Sequence, residues 1–399
     1  MKKKLLFVHP TMQFGGAEKS LQTLLCMIDY DRYDVDLCLL RPEGELLGLL
    51  PDQVHVLPMQ ETARIFYMPL SSSCLQLLRR GKLSMCAQRI LFSAAVRGDL
   101  PIRMREQRGW KHQKRAYAPL QQEYDAAVAY MEGSPIYFCA DLVRAKRKIA
   151  LIHSDYRRLE MNRDFDSAYF AQFDVLAGVS DACADVLRAC FPEHGDKIRV
   201  LENLISPSVL RERSSEPVDF DAGYRGLRVL TMGRLDDPKG IDIAVDVCVA
   251  LKDCCDFRWY VLGDGPQREM LTDKIAAAGL QDRFFLLGAK LNPYPYLAQC
   301  DVYVQPSRFE GKSIAIEEAK CFAKPIVTTA FTTVRNQIED GVTGSIAQID
   351  AADIAEKLRA LLTDPALRQK YADALQGFAG NTQELEKWEN IWQGYESVC

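Results

Sequence analysis

"DVYVQPSRFEGKSIAIEEAKCFAKPIVTT", residues 301–329, reads as strand, loop, helix and strand. The apolar run Asp301–Gln305 ends in a Pro-Ser turn, a helical pattern opens near Ile314, and a second apolar run follows Pro325. Two buried strands joined by a helix make a βαβ unit, and hence a parallel sheet covered on both faces. The same stretch carries three carboxylates. At about 100° per residue, Glu318 falls in the apolar arc of Ile314, Cys321 and Phe322, where a charge is costly without a partner. Glu317 points to the other side beside Lys320 and is predicted to be solvated, whereas Glu310 lies in the loop. Unpaired N–H groups at Ser313, Ile314 and Ala315 would suit an anion.

Outward from this unit, the alternation repeats. Apolar runs at 5–9, 35–40, 54–58, 126–131, 148–154, 175–180 and 198–203 precede a polar stretch, 206–223, that reads as a linker. The pattern restarts at 227–234, 257–265, 284–289, 301–307 and 324–329. The expected fold class is therefore α/β, with two Rossmann-like doubly wound domains facing a central cleft, since ligands bind at the carboxyl ends of such strands. Expected boundaries are 1–207, with a basic insert at 61–118, and 208–381. The segment 382–399 places Leu385, Trp388, Ile391, Trp392 and Tyr395 at helical spacing and is expected to return to one domain.

Composition narrows the class. A chain of 399 residues exceeds one ordinary core, and 48% apolar with 26% charged residues is globular composition. Thirteen cysteines include no C-x-x-C pair, which reads as reduced thiols in a cytoplasmic protein. The opening "MKKKLLFVHP" has too short an apolar run for an export signal, and no run is long enough to span a bilayer. Within residues 61–118 twelve basic residues face three acids, a local charge of +9 on a chain of −4. Arg79, Arg80, Arg103 and Arg105 stand among leucines and isoleucines there. An anionic membrane surface, or an acceptor bound at one, is the expected partner; nucleic acid is not, because the charge is confined to one insert. A helical subdomain with a basic polar face is the alternative.

Three loops follow strands. In "QFGGAEKSL" (13–21), Gly15 and Gly16 permit close backbone approach at a helix N-terminus, although neither a G-x-G-x-x-G nor a P-loop pattern is present. "MGRLDDPKGID" (232–242) offers Arg234 and Lys239, a planar fork and a point charge suited to a diphosphate. Gly265 in "LGDGPQREML" (262–271) has a turn role that explains it fully, and a site role only by association. The D-x-D pairs 29–31, 34–36 and 219–221 sit in turns, so no metal site is expected.

In order, "FGGAEKSL", "HSD", "GVSDACADVL", "GRLDDPKG", "LGDGP", "PSRFEG" and the spacing Glu310-x7-Glu318 resemble glycosyltransferase family 4, retaining enzymes of the GT-B fold, of the bacterial surface-polysaccharide type. The resemblance runs from about 5 to 365 and is weakest over the basic insert. It implies that Arg234 and Lys239 grip the diphosphate of a UDP- or GDP-linked sugar and that Glu318 holds the ribose. Glu310 would contact the sugar near the reacting carbon, as catalytic nucleophile or as stabiliser, and His153 would face the sugar. Gly15, Gly16, Gly265, Gly311, Ser313 and Ile314 would line the donor. Lys312 departs from a commonly apolar position and would add a phosphate or sugar contact. Ala323 stands where glycine is usual, and "HSD" replaces the commoner His-Asp or His-Asn. A lipid-linked saccharide is the implied acceptor, and no cofactor is required. A nucleotide-sugar 2-epimerase and a catalytically silent sugar-nucleotide or membrane-binding protein remain as alternatives.

Overall fold

The computed structural model describes residues 2–13, 15–218, 220–221 and 223–395. The chain divides into two compact units, Met1–Leu204 with Gln383–Cys399, and Ile205–Thr382.

In the first unit the strands are β1 (Lys3–His9), β2 (Tyr33–Leu39), β3 (Val54–Val56), β4 (Glu123–Tyr124), β5 (Ala126–Ala129), β6 (Arg144–Ala145), β7 (Lys148–Ile152), β8 (Val175–Gly178) and β9 (Ile198–Val200). Seven form a parallel sheet in the order β3-β2-β1-β5-β7-β8-β9, and β4 pairs with β6 alone. The helices are α1 (Gly16–Met27), α2 (Glu61–Tyr67), α3 (Leu70–Arg79), α4 (Leu83–Ala95), α5 (Ile102–Gln113), α6 (Ser134–Leu142), α7 (Arg163–Phe170) and α8 (Asp181–Cys190). The period-2 alternation of a strand sorts the core onto two faces. Leu6 and Val8 of β1 join Ala127 and Ala129 of β5 on one face, while Leu5 and Phe7 join Ala126 and Val128 on the other.

The second unit holds α9 (Pro207–Ser214), α10 (Ile241–Leu251), α11 (Arg268–Ala277), α12 (Tyr294–Gln299), α13 (Ile314–Cys321), α14 (Ala351–Thr363) and α15 (Pro365–Leu375). Its strands, β10 (Leu227–Met232), β11 (Phe257–Leu262), β12 (Phe284–Leu286), β13 (Val302–Gln305), β14 (Ile326–Thr329) and β15 (Ser345–Ala347), form a parallel sheet ordered β12-β11-β10-β13-β14-β15. Trp259 and Val261 pack on one face with Val302 and Val304; Tyr260 and Leu262 pack on the other with Tyr303.

Two expectations are corrected here. The stretch 206–223 is not a plain linker. Pro207 starts α9, whose Leu210 packs with Tyr294 and Cys321, and Phe220 packs edge-on to Tyr260 and Tyr296. Asp219, part of one D-x-D pair, lies outside the described residues; Asp221 is held by Arg258 and by the Tyr260 hydroxyl. The C-terminal segment forms α16 (Glu384–Gln393), which packs on the first unit: Trp388 stacks on Tyr130 at 5.7 Å, and Trp392 meets Phe7 and Tyr33 edge-on. Tyr395 falls beyond that helix and is exposed, and the expected residues 396–399 lie outside the described ones.

The Ala323 position also explains itself. Ala323 has φ 50° at the end of α13, a left-handed conformation that glycine adopts without strain.

Candidate functional site

β10 and β13 are neighbours, so the loops that follow them meet. A side chain at Gly240 would put its Cβ 2.1 Å from the Pro306 carbonyl oxygen, and Gly240 has φ 65°, so only glycine lets these loops close. Arg308 fastens them further: its N–H donates to Pro238 O, and its guanidinium pairs with Asp242 at 2.5 Å. This contact brings Lys239 onto Glu310, with Nζ 2.7 Å from Oε1 and 2.9 Å from Oε2. Oε1 also accepts from Ser307 Oγ (2.8 Å) and Gln305 Nε2 (3.1 Å), and Glu310 is only 8% exposed. A buried carboxylate is stable here because four donor contacts replace water.

The α13 N-terminus stands beside this pair. Ser313 caps it, its Oγ accepting from Ile316 N. The Ser313 N–H, expected to be open to an anion, is instead taken by Gln337 Oε1 at 2.9 Å. Ile314 and Ala315 retain backbone N–H groups without a partner among the described residues. Glu318 is 1% exposed, and the Tyr294 hydroxyl donates to it at 3.0 Å. Burial, and then the Glu318 charge, push the Tyr294 phenol well above its usual range. The solvated role expected for Glu317 is overturned: it is buried, accepting from Gln337 Nε2 at 2.8 Å and pairing with Lys320 at 3.1 Å. Lys320 in turn lies over the Phe378 ring. The chain beyond β14 covers that side of α13, which the helix's own sequence does not reveal.

Arg234 is largely exposed and pairs with Asp236 at 2.7 Å. Gly263 and Gly265 press against its loop: a Cβ would lie 1.8 Å from Gly233 O or 2.5 Å from Leu235 O. Their packing against the Arg234 loop accounts for both glycines. Gly311 and Lys312 lie half-buried in the turn between Glu310 and Ser313.

In the first unit a second cluster forms where β1, β5 and β7 end side by side. His153 follows β7; its Nε2 donates to Tyr130 O at 3.1 Å, which leaves Nδ1 as the acceptor nitrogen of a neutral ring. Burial lowers its pKa, against the pull of Glu132. Glu132, 3% exposed, accepts from the His153 backbone N–H and from Ser154 Oγ, each at 3.0 Å. Burial opposes the Glu132 charge, but His153, the Arg103 guanidinium at 3.9 Å and the backbone N–H outweigh it and hold its pKa low. His9 ends β1, fully buried, with Nδ1 2.6 Å from Thr11 O and no partner for Nε2 among the described residues. Burial drives it down to about 4.

Gly15 is extended and precedes α1; a Cβ there would lie 2.1 Å from the Glu18 carboxylate. Gly16 is the first residue of that helix, and Phe14 lies outside the described residues. Of the insert's arginines, Arg79 is exposed, Arg80 pairs with Glu61 and Arg105 is half-buried. Arg103 turns inward to Glu106 (3.1 Å) and Glu132, and Glu106 accepts from Ser134 N at 2.8 Å.

Sequence reasoning missed Glu132, His9, Gln305, Ser307 and Gln337. A signal existed for three of them: a polar residue at or just past the end of an apolar strand run, as at His9, Glu132 and Gln305, points into the carboxyl edge of a parallel sheet.

Taken with these two sheets, comparison with known proteins defines the fold class as GT-B: Anabaena Alr3699/HepE, solved with UDP and glucose, superposes with TM-score 0.67 over 100% of each chain at 16% identity. Residues 224–376, which hold Arg234, Lys239, Glu310 and Glu318, match the family described as glycosyl transferases group 1. Among curated relatives, an alpha-D-kanosaminyltransferase of Streptomyces kanamyceticus is 31% identical over 36% of this chain and 39% of its own length. The N-acetylgalactosamine-N,N'-diacetylbacillosaminyl-diphospho-undecaprenol 4-alpha-N-acetylgalactosaminyltransferase of Campylobacter jejuni is 26% identical over 53% of this chain and 57% of its own length. The chain thus spans less than two thirds of either relative.

Proposed function

We propose that the protein transfers a sugar from a UDP- or GDP-linked donor to an acceptor with retention at the anomeric carbon. The observation that carries this reading is the buried Lys239–Glu310 pair at the carboxyl edge of a sheet, beside the open N–H groups of Ile314 and Ala315. In this reading Lys239, Arg234 and those N–H groups stabilise the leaving nucleoside diphosphate by preorganised charge. Glu318 holds the ribose hydroxyls, and Gly265, Gly311, Lys312 and Ser313 shape the donor loop. His153 offers its neutral Nδ1 to a sugar hydroxyl, and Gly15 and Gly16 bring backbone near the phosphates and acceptor.

In this reading Glu310 acts as a stabiliser, both of its oxygens engaged by Lys239 and its Oε1 also by Gln305 and Ser307. Retention then requires that the C1–O bond to the diphosphate break as the acceptor oxygen bonds C1 on the same face, its proton leaving with the diphosphate.

The acceptor is proposed to be a lipid-linked saccharide of cell-surface polysaccharide assembly, handled at the cytoplasmic face of a membrane. The Campylobacter relative, named for a diphospho-undecaprenol-linked substrate, supports this choice. Incubating the protein with UDP- and GDP-sugars and an undecaprenyl-diphosphate-linked saccharide should release nucleotide only when donor and acceptor are both present. The product's anomeric configuration should match the donor's by NMR. An isomerised nucleotide-sugar formed without acceptor would overturn the reading.

A further inference from the structure

The charges of a surface helix ordinarily face water, yet α5 turns three polar side chains inward. Arg103, Glu106 and Gln107 stand at helical spacing and share one face. That face grips two turns. At the first, Glu106 accepts from the Ser134 backbone N–H at 2.8 Å and from its hydroxyl. Gly133, with φ 87°, admits this approach, because a Cβ there would lie 2.9 Å from a Glu106 carboxylate oxygen. Arg103 then bridges Glu106 at 3.1 Å to Glu132 at 3.9 Å. At the second turn, Gln107 accepts from Asn162 N at 2.7 Å and donates to Asp166 at 2.8 Å. Both turns close on the loop after β7. Glu132 accepts from the His153 N–H and from Ser154 Oγ, and Asp166 accepts from the Tyr156 hydroxyl. One helix of the insert therefore holds the His153 loop at two points.

We propose that Arg103 and Glu106 are positioning residues for His153, acting through Glu132, so that α5 is a working part of the histidine edge. The inference rests on the proposed role of His153, which presents Nδ1 to a sugar hydroxyl.

Glu132 does two things to that histidine, and they conflict. Its oxygens fix the loop, but a carboxylate beside an imidazole favours the protonated ring, which has no acceptor nitrogen. The Arg103 guanidinium offsets that pull and leaves Nδ1 able to accept. Glu106 holds the guanidinium in place while sharing its charge. The other groups around the loop do not supply this balance. Burial keeps His9 on β1 neutral, and it raises both the Tyr130 phenol after β5 and the Cys183 thiol on α8. Asp155, within the loop, is paired with Arg157 at 3.0 Å.

The full chain, its histidines labelled with nitrogen-15, is titrated by NMR, and the His153 ring, one of five, is assigned with His153→Asn. Arg103→Gln should raise the His153 pKa by about half a pH unit, and Arg103→Lys should restore it. Glu106→Gln, which leaves the guanidinium to Glu132 alone, should move it the opposite way. A helix that only supports the fold gives no such pair of opposite shifts. The Glu106→Gln arm stands by itself should Arg103→Gln fail to fold. In acceptor-dependent nucleotide release, Arg103→Gln should lower kcat about tenfold and carry the acid limb of the pH profile upward, with the donor KM unchanged. An unmoved His153 titration in the folded variants overturns the inference at the brace itself. Full turnover by His153→Asn overturns it through its premise, the catalytic reading of that histidine.

Discussion

The carboxyl edges of the two sheets handle charge in opposite ways. In the second unit the edge is ionic and already paired: Lys239 on Glu310 and Arg234 on Asp236. In the first unit two neutral imidazoles surround one carboxylate, Glu132, held by a backbone N–H, a hydroxyl and a distant guanidinium. Fixed charges suit a group whose negative charge grows during reaction, whereas neutral nitrogens suit uncharged hydroxyls. In the proposed transfer this contrast divides the labour between the units: the second would take up anionic charge and the first would orient a polar, uncharged partner.

The strongest way to break this division is Glu310→Ala. If the paired edge positions Lys239 for the leaving group, acceptor-dependent nucleotide release should fall by about 10³, or ~4 kcal/mol in the barrier. Steady-state turnover measures this, and a loss under tenfold would show that the ionic edge is structural only. A smaller effect tests the neutral edge. His9 titrates near 4 folded against 6.5 unfolded, so the unfolded chain binds the extra proton between those values. Stability is therefore full above about pH 6.5 and declines by up to roughly 3 kcal/mol as pH falls to about 4. Urea unfolding across that window should show a shallower slope for His9→Asn; equal slopes would mean the imidazole is not held neutral.

Next in size is Glu132→Gln, which turns an amide N–H toward a donor now satisfied by the carboxylate, at a cost of about 2 kcal/mol. Because Glu132 raises the His153 pKa, the substitution should lower it further, readable from ring proton shifts in NMR. An upward movement would contradict the arrangement. Smallest is Ala323→Gly in the second unit. Relief of the left-handed strain at φ 50° should raise stability by about 1 kcal/mol, seen in the denaturation midpoint.

The same contrast explains what could be read without coordinates. The second edge comes from two short windows, 234–239 and 310–318, on neighbouring strands, so its chemistry lies in contiguous sequence. What remained hidden there depends on covering segments: Gln337 takes the Ser313 N–H and, with Lys320, makes Glu317 a buried partner. The first edge draws on residues 9, 103, 132 and 153, which only the strand order unites. His153 was visible through resemblance, but nothing local to Glu132 announces that it holds the His153 loop. Both sheets were legible from apolar runs. β15, three residues long, and α9, hidden in a polar stretch, carried too little pattern to be seen.

Trp388 lies flat against Tyr130, whose carbonyl holds the His153 ring, and the whole second unit separates the two residues along the chain. A ribosome delivers the chain in order, so the second unit can finish folding while the first still lacks one of its walls. Until residue 393 emerges, Tyr130 and Phe7 have an apolar side without its cover. The nascent first unit must wait for α16, and the histidine edge is completed only after the whole second unit has been made.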